Sequence, residues 1–394
     1  MNQTYTLSKA QSPLSGEEVL CWLALRMTPG LGTRKATILA DAFSSAQEIF
    51  RAAPKDLEAA GINPAVARSI ASGCAFDDAA DQQHKALEAG TTVIPITDFR
   101  YPAALRTIFD APPVLFALGR VELLESIMLG VVGTRRPTPY GVQAAERLSK
   151  ELCEAGMTIV SGMARGIDTA AHKAVLATEG NTVAVFGCGV DQIYPAENRK
   201  LAREIAERGL IVSEFPMGSP PYPQNFPIRN RIVSGLSVGV LVVEGSEYSG
   251  SAITAKLAAE QNRGVFAVPG NITSKMSWGP NQLIKQGAKL VQDWNDVASE
   301  LPTTLRRQLV DLRRQRLAGR PAAVGKEPPA SPQAVQAQAI LRLIQPDQAV
   351  SLDSLLDRME GTPASEIMAS LFDLELSGMV RQLPGKQYIR VWTD

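Results

Sequence analysis

The sequence predicts an α/β protein with a doubly wound, mostly parallel sheet of the extended Rossmann-like kind. Short β-rich runs alternate with amphipathic helical stretches from about residue 80 to residue 300, which is the pattern of parallel strands joined by helices. Helical patterns broken by glycines precede this region, and three helical patterns followed by two short strands come after it. We therefore predict an N-terminal helical domain (1–78), the Rossmann-like domain (79–301), a linker (302–334) and a winged-helix domain (335–394).

Composition restricts the possible functions. A chain of 394 residues with 45% hydrophobic and 20% charged residues is typical of a folded protein of two to four domains. The 40 basic and 40 acidic residues cancel, so the net charge is zero. Any nucleic-acid site must therefore come from local clustering of arginine and lysine.

Cysteine and histidine usage predicts neither a metal site nor a bound cofactor. The four cysteines lie far apart without a CxxC pair, and the chain has only two histidines. Isolated thiols of this kind are typical of a reducing compartment. The first 13 residues lack the basic and apolar regions of a signal peptide, and no apolar run is long enough to cross a bilayer. We expect a cytoplasmic protein with no membrane association.

The N-terminal domain begins with two helical patterns, at 19–25 and 38–43, separated by the turn segment Thr28-Pro29-Gly30-Leu31-Gly32. This arrangement is similar to a helix-hairpin-helix or SAM-like domain, and residues 57–70 look like a weaker second copy. Such a hairpin can present backbone N–H groups to a phosphate. Alternatively, the glycines only permit tight turns in a small helical domain.

The central domain should contain seven strands and at least four helices. The predicted strands cover residues 93–96, 127–132, 157–160, 183–186, 210–212, 238–243 and 265–268. The predicted helices between them cover residues 141–155, 167–177, 197–208 and 251–262.

The predicted linker is strongly basic, with seven arginines and lysines against two acidic residues. Its part beyond Gly319 carries four prolines and should be extended and mobile. A charge run of this kind is usually a solvated surface, and loose attraction to nucleic acid is a second interpretation.

The C-terminal domain shows helical patterns at 336–344, 352–359 and 364–376, then strands at 379–383 and 387–391 joined at Pro384-Gly385. In a winged helix the third helix reads duplex DNA. Here that helix carries Glu366, Asp373 and Glu375 and no basic residue, so it would be repelled by phosphates. We expect this domain to contact protein or to self-associate.

The candidate site lies where the predicted strands end. In a parallel sheet all strands end on one side, and ligands bind outside these carboxyl ends. Glycines and polar or basic residues follow nearly every predicted strand, and we interpret them as a site for single-stranded DNA. The candidate DNA-binding residues are Gly133, Thr134, Arg135, Ser161, Gly162, Arg165, Gly166, Phe226, Arg229, Asn230, Arg231, Ser249, Gly250, Ser251 and Thr254.

These residue types suit a phosphodiester chain. Glycines let the backbone approach an anion, and the segments at Ser161 and Ser249 precede helices whose N-termini attract phosphate. The arginines offer planar, permanently charged donors. Phe226 could stack on a base, or it could be a packing residue beside the arginines.

Enzymatic chemistry has weaker support, and we predict no catalytic residue. The segment Gly187-Cys188-Gly189 lacks the third glycine of a dinucleotide fingerprint, and the chain has no P-loop motif. Glu214 and Glu244 lie at strand ends and could form a general acid/base pair. Such carboxylates more often hold loop N–H groups or pair with arginine, and Asp168 could similarly interact with a helix dipole.

Several segments together resemble the DNA-processing protein A (DprA/Smf) family across roughly residues 95–290. The segments that carry the resemblance are 132–136, Ser161–Asp168, Tyr194-Pro195 with Asn198, Phe226–Arg231 and Ser249–Thr254. The strings SGMARGID and FPIRNR are highly specific. Departures are small: Thr134 replaces a common serine, Ala252 a common leucine, and Gly279-Pro280-Asn281 a Gly-Thr-Asn, where proline offers no N–H.

The resemblance implies a single-stranded DNA-binding protein of natural transformation that protects incoming strands and helps to load the RecA recombinase. It also implies a homodimer formed through the Rossmann-like domain, with Arg135 as the leading DNA contact beside Phe226 and Arg229–Arg231. The rival is a nucleotide-processing enzyme similar to phosphoribohydrolases of a related fold. Those carry a PGGxGTxxE loop, whereas residues 268–273 lack the glycine pair and the glutamate.

Overall fold

The computed structural model describes residues 13–247, 249–318, 332–344, 348–359, 362–376 and 379–391. In these ranges the chain forms a nine-stranded sheet and a separate three-stranded sheet, both surrounded by helices. None of the helices in the described ranges combines the length and apolarity that a bilayer-spanning segment requires.

Six helices form the N-terminal part: α1 Gly16–Met27, α2 Thr33–Ala42, α3 Ala46–Arg51, α4 Pro54–Ala59, α5 Pro64–Ala71 and α6 Phe76–Glu88. The predicted break between the first two helices is confirmed, with Gly30 at φ +79°, a conformation that favours glycine. Trp22 is fully buried and donates its indole N–H to Glu18, which also accepts from the Ala46 N–H at 2.6 Å. This buried carboxylate joins α1 to α3.

Helix α6 crosses the predicted domain boundary at residue 78. Its buried residues Ala79 and Ala86 belong to one hydrophobic cluster, which also contains Trp22 of helix α1 and Leu115 of the sheet. The helical part and the Rossmann-like domain therefore share one continuous core.

The nine strands are β1 Thr92–Pro95, β2 Val114–Gly119, β3 Met128–Val132, β4 Thr158–Ser161, β5 Thr182–Val185, β6 Leu210–Ser213, β7 Gly239–Val242, β8 Gly264–Ala267 and β9 Lys289–Leu290. The connecting helices are α7 Ala103–Arg106, α8 Pro139–Glu154, α9 Ile167–Ala177, α10 Arg199–Arg208, α11 Asn225–Leu236, α12 Gly250–Glu260, α13 Trp278–Lys285 and α14 Trp294–Glu300.

The strand order is β1-β2-β6-β5-β4-β3-β7-β8-β9. Strands β3 to β9 run parallel, whereas β2 is antiparallel to both β1 and β6. The predicted fold class and the seven predicted strands are confirmed, with bounds that differ by at most one residue. The prediction omitted β2 and β9, the latter only two residues long.

Helix α11, which was not among the predicted helices, contains the candidate site residues Phe226, Arg229, Asn230 and Arg231. Pro227 lies in the first turn of this helix, where a missing N–H costs nothing. The following turn of the helix contains Arg229 and Arg231, and both side chains are buried.

The two faces of the sheet bury separate clusters. On β3, Leu129 and Val131 point to the cluster formed with α8 and α9, whereas Met128 and Val132 point to the other face. This alternation follows from the two-residue period of a strand, and it gives the sheet the two covered faces of a doubly wound fold.

Helix α15, Thr303–Ala318, occupies the first half of the predicted linker. Leu305, Leu309 and Leu312 recur at helical spacing, and Leu309 is fully buried in the cluster beneath α8. This half is therefore part of the Rossmann-like domain, in contrast to the predicted boundary at residue 301. In the proline-rich half of the predicted linker, residues 319–331 lie outside the described residues, and the last three residues begin helix α16, Pro332–Leu343.

The C-terminal domain contains α16 Pro332–Leu343, β10 Val350–Ser351, α17 Leu352–Arg358, α18 Ala364–Leu376, β11 Val380–Leu383 and β12 Gln387–Arg390. Its sheet has the order β10-β12-β11, and Gly385 takes φ +86° in the turn between the last two strands. Three helices before this hairpin confirm the predicted winged helix.

Replacing Leu309 with alanine tests whether α15 belongs to the Rossmann-like domain. We expect the free energy of unfolding to fall by about 2–5 kcal/mol, because the change leaves a cavity in a packed core. Chemical denaturation of the full chain measures this, with Gln308→Ala on the exposed face of α15 as the control. Equal midpoints for the two variants would contradict the assignment.

Candidate nucleic-acid interface

A pocket of about 680 Å³ opens at the carboxyl end of the parallel strands. It brings together segments that follow β3, β4 and β7 with the N-terminus of α11. The predicted site residues that line it are Gly133, Thr134, Arg135, Gly162, Phe226, Arg229, Asn230, Ser249, Gly250, Ser251 and Thr254. Ser161, Arg165, Gly166 and Arg231 do not line this pocket.

Arg135, like its neighbour Arg136, is an exposed cation of the pocket. It follows β3, its side chain is open to solvent, and no carboxylate in the described part of the chain pairs with it. Its guanidinium carbon lies 5.8 Å from the centre of the Phe226 ring. A cation held beside an aromatic ring and left without a counter-ion is suited to bind an anion.

Phe226 and Tyr194 form an aromatic surface on the pocket wall. Their ring centres are 5.3 Å apart with an interplanar angle of 39°. Phe226 also packs against Gly187, where a Cβ atom would approach the ring to 2.9 Å. The two interpretations of Phe226 are therefore compatible: one part of the ring packs, and the rest lines the pocket.

Tyr194 was not among the predicted site residues. Its only signal in the sequence was the Tyr194-Pro195 pair, which contributed to the family resemblance. The residue lies far from Phe226 in the chain, so only the fold shows that the two rings meet.

The N-terminus of α12 forms another wall. The Ser249 hydroxyl lies 3.4 Å from the Ala252 N–H as its N-cap acceptor and 2.7 Å from the Ser251 hydroxyl. Gly250 and Ser251 open the helix and line the pocket. Backbone N–H groups and the positive end of the dipole at a helix start favour a phosphate.

The loop after β4 is organised by Asp168 and not by an outside anion. This buried carboxylate accepts the N–H groups of Gly162 at 3.0 Å and Ala164 at 3.3 Å. Burial raises the pKa of Asp168, and the nearby positive charge of Arg229 opposes that shift. Since these N–H groups are occupied, the expected phosphate cradle at Ser161-Gly162 is not formed by them.

Ser161 and Gly166 also have structural roles. Ser161 is fully buried and donates its hydroxyl to the Val131 carbonyl at 2.6 Å. Gly166 takes φ +78° at the start of α9, and a Cβ atom there would collide with the Thr134 carbonyl. Both residues shape the loops that carry Arg135.

Arg229 forms the floor of the pocket. It is buried, and its guanidinium donates to the Val185 carbonyl at the end of β5. Burial lowers the pKa of Arg229 to about 10, with the charge of Asp168 acting in the opposite direction. Position 162, next to the Arg229 guanidinium, requires glycine, because a side chain there would occupy the space of the guanidinium.

Arg231 is turned away from the pocket, which corrects its expected place among the DNA contacts. Its guanidinium makes a two-pronged ion pair with the buried Glu214, with one contact at 2.8 Å, and reaches Asp110 at 2.9 Å. Arg165 is exposed beside Tyr194 and pairs with Glu197 at 2.5 Å.

The two candidate acid/base glutamates are each engaged elsewhere. Glu214 is held by Arg231, and Glu244 accepts from the Thr138 N–H at 2.8 Å and its hydroxyl at 2.5 Å. Burial raises the pKa of Glu244. Within the described ranges, no cluster of three or more acidic, histidine or cysteine residues could hold a metal ion.

Comparison with known proteins finds two family models that match this chain. The DNA recombination-mediator protein A model matches residues 92–302, and the DprA winged-helix model matches residues 324–386. The DNA processing protein DprA of Bacillus subtilis is 48% identical over 216 residues, which cover 55% of this chain and 73% of that protein. The chain belongs to the DprA/Smf family.

Other relatives extend the match. Protein Smf of Escherichia coli is 39% identical over 300 residues, covering 76% of this chain and 77% of that protein. The solved structure of DNA processing protein A from Streptococcus pneumoniae is 36% identical and covers 72% of this chain and 98% of that chain, with a TM-score of 0.64. The resemblance drawn from the motifs is confirmed.

Replacing Arg231 with methionine tests its structural role. Glu214 would be left buried without a partner, so we expect a loss of about 3–5 kcal/mol in the free energy of unfolding. Arg165→Met, which breaks an exposed ion pair, should cost at most about 1 kcal/mol. Denaturant unfolding of both variants makes the comparison, and a similar small loss in both would show that Arg231 does not hold α11.

Proposed function

We propose that this chain binds single-stranded DNA in the pocket at the carboxyl end of its sheet. In this proposal it protects incoming strands during natural transformation and helps to load RecA onto them in the cytoplasm. The observation that carries the proposal is the exposed Arg135, free of any described carboxylate, beside the Phe226–Tyr194 aromatic surface. Membership of a family of DNA-processing proteins supports it.

The pocket offers two kinds of contact at once. Arg135 and the N-terminus of α12 suit consecutive phosphates, and the Phe226–Tyr194 surface suits the face of a base. A base can present its face only where it is not stacked and paired in a duplex. The combination therefore favours single strands over duplex DNA.

The winged helix has a different part in the proposal. Glu366 and Glu375 on α18 are exposed, which places negative charge on the helix that would otherwise enter a DNA groove. We therefore assign protein contact to this domain. The candidate partners are RecA and a second copy of the chain, which would also form a homodimer through the Rossmann-like domain.

A nucleotide-processing enzyme is the weaker alternative. Its acid/base pair would have to come from Glu214 and Glu244, which are held by Arg231 and Thr138. The loop after β8 is also held in place, since the Asn281 side chain bonds both the N–H and the carbonyl of Gly270. These contacts support structural roles for all three side chains.

Replacing Arg135 with alanine should weaken binding of a labelled oligonucleotide at least about tenfold, because one charged phosphate contact is lost. The slope of log affinity against log salt should become shallower by about 0.7 for each lost phosphate contact. Fluorescence anisotropy at two salt concentrations, with duplex competitor, measures both effects.

Arg120→Ala is the matched control, since it removes the same charge beyond the end of β2, at the opposite end of the sheet. This variant should bind as the unmodified chain does. Unchanged affinity in Arg135→Ala would refute the site, and equal affinity for duplex DNA would refute the preference for single strands.

The role in loading RecA makes a separate prediction. Addition of the full chain should shorten the lag before RecA forms filaments on long single-stranded DNA. The lag is measured as the delay before DNA-dependent ATP hydrolysis by RecA reaches its steady rate. Arg135→Ala should lose this effect because the chain must hold the strand to act on it. A lag that the unmodified chain leaves unchanged would remove RecA loading from the proposal and leave DNA binding intact.

A further inference from the structure

Phe109 is an exposed aromatic side chain outside the pocket. It is 70% exposed, the highest exposure among the phenylalanine, tyrosine and tryptophan side chains of the described residues. The guanidinium carbon of Arg34 lies 4.2 Å from the ring centre. No carboxylate in the described ranges pairs with Arg34, so this cation–ring pair keeps its positive charge.

The topology places Phe109 at the same end of the sheet as the pocket. Strand β2 is antiparallel to β6, with Phe116 opposite Ser213, so the residues before β2 lie where β6 ends. Strands β6 and β5 alone separate β2 from β4, which carries the Gly162 side of the pocket. At about 4.8 Å per strand, β2 lies roughly 14 Å from β4 along this end of the sheet.

Helix α11 joins the two places. Its N-terminal turn carries Phe226 in the pocket, and Arg231, five residues later, binds Asp110, the neighbour of Phe109, through the carboxylate at 2.9 Å and the carbonyl at 3.2 Å. Arg231 is in turn anchored by the buried Glu214. The loop that presents Phe109 is therefore held in a fixed relation to the pocket.

The surroundings carry positive charge. Arg34 and Lys35 lie in the first turn of α2, whose N-cap residue, Gly32, provides no side-chain cap. A phosphate near this turn would meet two cations and a helix N-terminus. An exposed ring with cations beside it is the arrangement that holds single strands without reading their sequence.

We propose that Phe109 and Arg34 form a second base-stacking position, which holds the single strand where it leaves the pocket. This proposal rests on the proposed function and extends it from the Rossmann-like domain to the N-terminal helices. The occupant is the same strand, because the two positions share one end of the sheet and one supporting helix.

The experiment compares two lengths of labelled oligothymidylate, one of about 5 and one of about 20 nucleotides, on the full chain. Phe109→Ala should leave affinity for the short strand unchanged and weaken binding of the long strand about 5- to 150-fold, the range for loss of one stacked base. Phe109→Trp should retain long-strand binding, and its added fluorescence should be quenched by the long strand only.

Leu87→Ala is the matched control, since Leu87 is also an exposed apolar side chain and lies at the opposite end of the sheet, just before β1. It should bind both lengths normally. Unchanged affinity of Phe109→Ala for the long strand would overturn the second stacking position. The pocket itself is tested separately, by the loss of affinity in Arg135→Ala. A change in sedimentation mass in Phe109→Ala would also overturn it, because the ring would then serve contact between copies of the chain.

Discussion

The buried ion pair between Arg231 and Glu214 determines where helix α11 lies, and the arrangement of the site depends on that helix. Both side chains are nearly inaccessible to solvent, and Asp110 adds a third contact from the loop before β2. A buried charge is tolerated only when its partners are complete, so these contacts permit one position of α11. That position brings Phe226 to the pocket wall and Arg229 to its floor.

The charged residues of the candidate site are of two kinds: buried residues that hold its loops in place, and exposed residues such as Arg135. Arg229, Arg231, Asp168, Glu214 and Glu244 are buried and bind backbone groups or one another, so they shape the loops at the carboxyl end of the sheet. Arg135 is exposed and has no described carboxylate partner, which leaves its charge available. A buried network of this kind keeps the loops rigid, and rigid loops lose less entropy when a ligand binds.

Much of the fold and part of the site could be predicted before the structure. Alternating strand and helix patterns placed seven strands correctly, and the parallel rule brought the glycine segments at Gly133, Gly162 and Gly250 to one pocket. The helix at 303–318 was missed because its arginines obscured a stripe of three leucines. The exposure of the Phe109 ring could not be predicted, because a phenylalanine in an apolar stretch is normally buried.

The sequence by itself determined the family, the order of the domains and the set of residues that could meet a phosphate. Only the tertiary structure decided which of those residues face the solvent. Arg135, Arg229 and Arg231 look equivalent in the sequence, yet only Arg135 is exposed. Arg229 and Arg231 are buried, because their partners come from distant parts of the chain: Val185, Glu214 and Asp110. Burial depends on such long-range contacts, and a local motif contains no information about them.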